Sequence, residues 1–221
     1  KLHHHLQSTE GRFVAGLVLV IVLLFAYYFY AMSRRGDVGT VENIVIKETD
    51  HIRGAQDAKL TLVEFGDYQC PACGVYEPLV RQVMKDNKTV LKVVFKHFPL
   101  TQIHQNALLA AKATEAAGLQ GKFWEMHEML YDKQEEWSKG LNAHDIIVGY
   151  AVTLGLNKNK FMTDLNNKAL EDKIFAELKE GLNLGVQGTP TFFLNGKKIE
   201  NPRSLEDFNK LILETAANIP K

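Results

Sequence analysis

Cys70 and Cys73 enclose Pro71 and Ala72, and they are the only two cysteines in a chain of 221 residues. Two thiols at this spacing on a helix lie nearly one turn apart, close enough to form a disulfide or for one to attack a mixed disulfide on the other. A thiolate at a helix N-terminus faces unpaired backbone N–H groups and the positive end of the helix dipole, which favour its ionised form. Cys70, the outer cysteine, is therefore the expected nucleophile and Cys73 the resolving thiol. Pro71 lacks a backbone N–H and has a fixed φ, so it suits a first helical turn. Two duller readings compete. A disulfide closing so short a loop restricts the unfolded chain little. A structural zinc site needs about two further ligands, and the eight histidines form no H-x₃₋₅-H pair near the cysteines.

The elements that must hold these thiols are visible on either side of them. Leu60-Thr61-Leu62-Val63-Glu64-Phe65 alternates and is β-rich, whereas Val75, Leu79, Val80, Val83 and Met84 recur at helical spacing. A second strand is expected over Val90–His97, with Leu91, Val93 and Phe95 on one face and Pro99 ending it. The resulting βαβ unit, with its right-handed crossover, places the two strands in parallel. From Ile103 to Leu184 only helical signals occur. Asn142 with Asp145 suggests a capping box, Asn157 a cap on the next segment, and Lys168–Gly181 a further helix. Such a block is too long for one crossover and must pack as a subdomain. Strand signals return at Thr191–Leu194, followed by the hairpin dipeptide Asn195-Gly196 and by Lys197–Ile199. A last helix opens at Ser204, with Asp207 at the capping-box position.

The N-terminal part is different in kind. Phe13 to Met32 carries no charge, and about 20 helical residues span about 30 Å, the thickness of a bilayer's hydrocarbon core. Tyr27, Tyr28 and Tyr30 crowd one end, as interfacial aromatics do. The stretch exceeds the usual apolar region of a cleaved signal peptide, so an uncleaved anchor is expected. Arg12 lies on one flank and Arg34 and Arg35 on the other, so charge does not set its orientation. The polar stretch after it reads as a tether in which only Val41–Ile46 could form a short strand. With 26 Lys+Arg against 26 Asp+Glu the chain is neutral, and nothing points to a nucleic-acid partner.

Taken with the CxxC, the order β-α-β, helical block, β-β-α resembles the thioredoxin fold with an inserted helical domain, as found in the DsbA-like family of thiol:disulfide oxidoreductases. The segments VEFGDYQCPAC, HFPL followed by His104 and Asn106, GKFWEMHEMLY, YAVTLGL and GVQGTPTFFLNG carry the resemblance. The expected fold class is α/β, thioredoxin-like, with an inserted α-helical subdomain and one N-terminal transmembrane helix. The expected division is a tail (1–12), an anchor (13–32), a linker (33–58), a thioredoxin-like domain (59–100 and 185–221) and the helical subdomain (101–184). From the residues alone, Pro190 fits a trans proline opening a strand; the resemblance implies instead a cis-proline beside the cysteines, with Thr189 positioned to tune Cys70. Glu64 would be an exposed strand residue if Val63 and Phe65 faced inward, whereas the resemblance implies a buried carboxylate that accepts a proton from Cys73. Pro78 matches the fold's helix-kinking proline. His97 and His104 are assigned no chemistry. Tyr68 and Gln69 either line the groove at Cys70 or cover the helix end.

The function this implies is an oxidase that donates the Cys70–Cys73 disulfide to reduced or unfolded secreted proteins on the extracytoplasmic side of a membrane. The resemblance implies recharging by a DsbB-like or vitamin K epoxide reductase-like membrane partner. No bound organic cofactor or metal is required, because two sulfurs carry the redox equivalents. A reductase or isomerase of the same fold is the alternative within the class. A membrane-tethered binding or chaperone module with an incidental disulfide is the alternative outside it.

Overall fold

Leu60–Gly66 is buried on both faces, which makes it a central strand and forces layers onto either side of the sheet. The computed structural model describes residues 9–34, 44–55 and 57–219. They fall into two units, divided after Val41, and each is taken by itself. The first contains one helix, α1 (Thr9–Arg34), and every side chain described in it, from Gly16 to Tyr30, is exposed. Among the described side chains, no helical stretch is long and apolar enough to cross a membrane. The anchor expected over residues 13–32 extends at both ends beyond those side chains.

In the second unit the chain runs β1 (His51–Gly54), β2 (Leu60–Gly66), α2 (Pro71–Asp86) and β3 (Leu91–His97). Six helices follow: α3 (Ala107–Gly118), α4 (Phe123–Asp132), α5 (Gln134–Ser138), α6 (Ala143–Thr153), α7 (Lys158–Asp164) and α8 (Lys168–Asn183). It closes with β4 (Thr191–Leu194), β5 (Lys197–Lys198) and α9 (Leu205–Ala217). The five strands are ordered β1-β3-β2-β4-β5. β2 and β3 are parallel, as a βαβ unit requires, and the remaining pairs are antiparallel. Asn195 (φ 49°) and Gly196 (φ 80°) both take positive φ in the β4–β5 turn, the combination a two-residue hairpin loop needs.

Alternation along the strands sorts the core. Leu60, Leu62, Leu91 and Val93 pack with Val80 and Val83 of α2 and with Phe208 and Ile212 of α9. Val63, Phe65 and Val94 point the other way, onto Leu178 of α8 and Phe98. The helical insertion has its own core around Trp137, Met126, Leu130, Ile147 and Phe161, and Cys70, Cys73, Tyr68 and Phe95 belong to that cluster. The cysteines thus sit where the two packings meet.

Two local readings need correction. The strand expected at Val41–Ile46 is absent at Ile44, Val45 and Ile46, and residues 41–43 lie outside the described residues. The edge strand is β1, further along the stretch read as linker. It pairs antiparallel with β3, and buried Lys96 holds the preceding turn through Asp50 at 2.9 Å. The capping box at Asn142 does not form: Asn142 has ψ 17° and makes no side-chain cap bond. A cap needs extended backbone so that the side chain can turn back onto the helix. Asn157 (ψ 105°) and Ser204 (ψ 167°) have it, and their side chains accept from Lys160 N–H and Asp207 N–H.

The insertion is bolted to the sheet by one carboxylate. Glu115 of α3 accepts from His51 (3.0 Å), His97 (2.9 Å) and Lys173 (2.5 Å). Burial opposes its ionisation, but the hydrogen bonds from the two imidazoles outweigh that and hold its carboxyl well below the usual range. Glu115→Gln should cost about 3 kcal/mol in urea unfolding at pH 7, because three donors then face a neutral amide. A depressed folded-state pKa contributes stability above the unfolded value of about 4.3 and loses it as pH falls below. The gap between wild type and variant should therefore narrow below about pH 4.

Candidate active site

α2 opens with Cys70 at its N-cap position (φ −70°, ψ 120°) and Pro71 in the first turn, and no side chain caps the helix. The first-turn N–H groups are left to face the Cys70 sulfur. In the free dithiol, Cys70 Sγ–H donates to the carbonyl oxygen of Thr189 at 3.3 Å. The Cys70 pKa is lowered to about 5, first by a hydrogen bond from the Cys73 thiol, against the opposing effect of burial, and then by Thr189 and the N–H groups of Cys73 and Ala72. Thr189 Oγ is buried without a partner while Cys70 is a neutral thiol; a thiolate supplies the acceptor. The Thr189–Pro190 peptide bond is cis, and it is Thr189 that lies against Cys70. Cys70 is less open than a freely accessible sulfur, at 8% exposure, and Cys73 is fully buried.

The second thiol is treated oppositely. Burial pushes the Cys73 pKa well up, and the hydrogen bond it gives to Cys70 and the charge of Glu64 add to this. Glu64 lies in mid-sheet, in register with Phe95 on one side and Phe192 on the other. It is 1% exposed, and it shares the face of Leu60 and Leu62 that looks toward α2. Burial, then the charge of Glu77, raises its pKa well above the carboxylate range. Glu64 is not the exposed strand residue that inward-facing Val63 and Phe65 would leave: all three are buried, because both faces of β2 are covered.

The loop around the thiols is braced from the insertion. Gln134 Nε2 donates to the carbonyls of Tyr68 (2.7 Å) and Cys70 (2.9 Å). Buried Asp67 accepts from Gln69 N–H (2.7 Å), Leu100 N–H (2.9 Å) and His104 Nδ1 (2.7 Å). Gln69 ties the loop to Asn106 N–H and to the Ser138 carbonyl, both at 2.7 Å. Tyr68 is buried with its hydroxyl 2.9 Å from His127 Nδ1. His97 and His104 both have structural partners. Sequence reasoning passed over Glu77 and His127, which are buried together at 3.1 Å. Glu77 had a signal, since it lies four residues after Cys73 and three before Val80, on the inward face of α2. His127 sits in GKFWEMHEMLY, a segment that carries the family resemblance but in which no single residue stood out. Among the described residues, no group of three or more His, Cys, Asp or Glu could hold a metal ion.

A family model described as thioredoxin matches residues 47–214. The chain belongs to the thioredoxin family. Within that family its fold is DsbA-like. The crystal structure of Wolbachia pipientis α-DsbA1 is similar with a TM-score of 0.70 at 19% identity, covering 80% of this chain and 95% of that one. Oxidised BdbD from Bacillus subtilis gives a TM-score of 0.68 at 24% identity, covering 76% and 94%. By family and dithiol site, this is a thiol:disulfide oxidoreductase domain. A stretch of the Na(+)/H(+) antiporter NhaA 1 of Salinispora arenicola is 40% identical over 171 residues, 77% of this chain and 25% of that protein. The chain thus spans about a quarter of the length of the curated relatives it matches.

Thiolate absorbance near 240 nm should titrate with an apparent pKa near the value of about 5 given for Cys70. Thr189→Val removes one hydroxyl donor to a charged acceptor, worth about 1.5 kcal/mol, and should raise that pKa by about one unit.

Proposed function

We propose that this oxidoreductase works as an oxidase, donating the Cys70–Cys73 disulfide to reduced proteins on the extracytoplasmic side of a membrane. The observation that carries the proposal is the contrast between Cys70 at the helix N-cap position, with its pKa lowered, and fully buried Cys73, with its pKa raised. A Cys70 pKa of about 5 lies about two units below pH 7. At about 1.4 kcal/mol per unit and about 30 mV per 1.4 kcal/mol for a two-electron couple, this stabilises the reduced form by about 60 mV. A stabilised reduced form makes the disulfide the stronger oxidant.

In the forward reaction a substrate thiolate attacks Cys70 Sγ, the enzyme disulfide breaks, and Cys73 departs and takes up a proton. A second substrate thiolate then attacks the mixed disulfide, a substrate disulfide forms, and Cys70 leaves as a thiolate. The Thr189 backbone beside Cys70 suits pairing with an extended substrate segment. The enzyme must then pass two electrons to an acceptor, for which a quinone-linked membrane protein of the DsbB or vitamin K epoxide reductase type fits the family. Residues 13–32 would hold the domain near such a partner as a single-pass anchor. The antiport named for the curated relatives forms no part of this proposal. A reductase or isomerase would share every residue of the site and differ in potential.

Equilibration against glutathione with thiol alkylation should give a potential between about −200 and −100 mV; a thioredoxin-like value near −270 mV would overturn the oxidase direction. Cys70→Ser and Cys73→Ser should each abolish reoxidation of reduced RNase. The full chain should stay with membranes through alkaline carbonate extraction, and deletion of residues 1–41 should release it. Release of the intact chain would remove the anchor from the proposal.

A further inference from the structure

Three consecutive residues of the cysteine loop, Tyr68, Gln69 and Cys70, are all tied to one short helix of the insertion, α5. At its start, Gln134 Nε2 donates to the carbonyls of Tyr68 at 2.7 Å and Cys70 at 2.9 Å. At its end, the Ser138 carbonyl accepts from Gln69 Nε2 at 2.7 Å. Between them Trp137 is fully buried in the insertion core and donates to the Leu130 carbonyl at 2.8 Å, so this clip has a fixed base. The Cys70 carbonyl also accepts the Gly74 N–H at 3.2 Å, the first backbone bond of α2. Gly74 leaves room for the Gln134 amide: a Cβ there would stand 2.8 Å from Gln134 Oε1 and 3.2 Å from its Cδ. Glycine is otherwise disfavoured inside a helix relative to alanine, and Gly74 has no positive φ that would require it.

We propose that Gln134 and Gly74 are a matched pair of positioning residues, through which the inserted subdomain favours the thiolate of Cys70 over its thiol. The pair rests on the dithiol reading of the site. The Cys70 carbonyl shares a Cα with the sulfur-bearing side chain, and the negative end of a bare carbonyl dipole beside a thiolate opposes its charge. The Gln134 N–H groups offset that partial charge at Tyr68 and Cys70. The same bonds hold the loop so that the N–H groups of Ala72 and Cys73 stay aimed at the sulfur. Cys73, on α2 itself, is the titratable group that acts on Cys70 most directly; Thr189 and Gln134, which reach the loop from two other parts of the chain, carry no charge. Since Cys70 leaves as a thiolate when the mixed disulfide is resolved, a favoured thiolate makes the enzyme disulfide the stronger oxidant. A Gln134 that merely packed the loop would stabilise the fold and leave the Cys70 titration where it is.

Thiolate absorbance and equilibration against glutathione, both on the detergent-solubilised full chain, decide the matter. Gln134→Met keeps the length of the side chain and removes its donors. It should raise the apparent Cys70 pKa from about 5 by about one unit, tenfold in the thiolate equilibrium. The disulfide should become a tenfold weaker oxidant, about 30 mV more reducing. Gly74→Ala favours the helix but pushes the Gln134 amide off its carbonyls, and it should move both readings in the same direction. Because Gly74→Ala acts through Gln134, the double variant should shift no further than Gln134→Met alone. Glu135→Gln, which removes a charge from the exposed face of α5, should leave both readings unchanged. A Gln134→Met chain that melts earlier but whose pKa moves by less than about 0.3 of a unit, a twofold change, overturns the clip alone, as does a double variant whose shift is the sum of the two. Should Gln134→Met fail to fold, an unshifted Gly74→Ala chain overturns it by itself. A wild-type chain with no thiolate titration and no exchange with glutathione overturns the dithiol reading and the clip together.

Discussion

The chemistry depends on placing two sulfurs one helical turn apart in opposite electrostatic surroundings. Cys70 stands where α2 begins, with unsatisfied N–H groups behind it and the Thr189 segment in front. Cys73 points from the same helix into a core of Tyr68, Phe95 and Tyr131. The helix end stabilises negative charge on one thiol, and desolvation forbids it on the other. A pair with equal pKa values would share its charge and make neither a good nucleophile nor a good leaving group.

This asymmetry holds only while two distant parts of the chain stay against the cysteine loop. One is the Thr189–Pro190 turn, brought alongside because β4 pairs with β2. The other is the helical insertion, which reaches back through Gln134 and accepts contacts from Gln69 at Ser138. The Glu115 cluster fixes that insertion to β1 and β3 with charge-assisted bonds, which are shorter and stronger than neutral ones. The insertion thus helps shape the site as well as enlarge the domain.

Placing acids under a sheet is costly, and this protein does so at Glu64 and Glu77, each 1% exposed. Glu77 is partly offset by His127 and Arg81, while Glu64 has an oxygen with no partner. A hydrophobic residue in register between Phe95 and Phe192 would pack better. The retained carboxyl, next to a thiol that must change protonation state, fits a functional use of that cost.

Much of this was legible in the residues. The helix-opening CxxC, the order of strands and helices, the Asn195-Gly196 hairpin and the caps at Asn157 and Ser204 are local features, and periodicity and turn chemistry suffice to read them. β1 escaped because a four-residue edge strand with half-buried side chains carries almost no alternating signal, and Asn142 misled because capping depends on a ψ angle that the sequence does not state. The Glu77–His127 pair and the three donors on Glu115 were decided only by tertiary structure, and the contact of Cys70 with Thr189 was expected from the family resemblance alone, not from any local pattern. They join residues 50, 64, 18, 58 and 119 positions apart, and no local pattern encodes which polar groups long-range packing will shut away from water together.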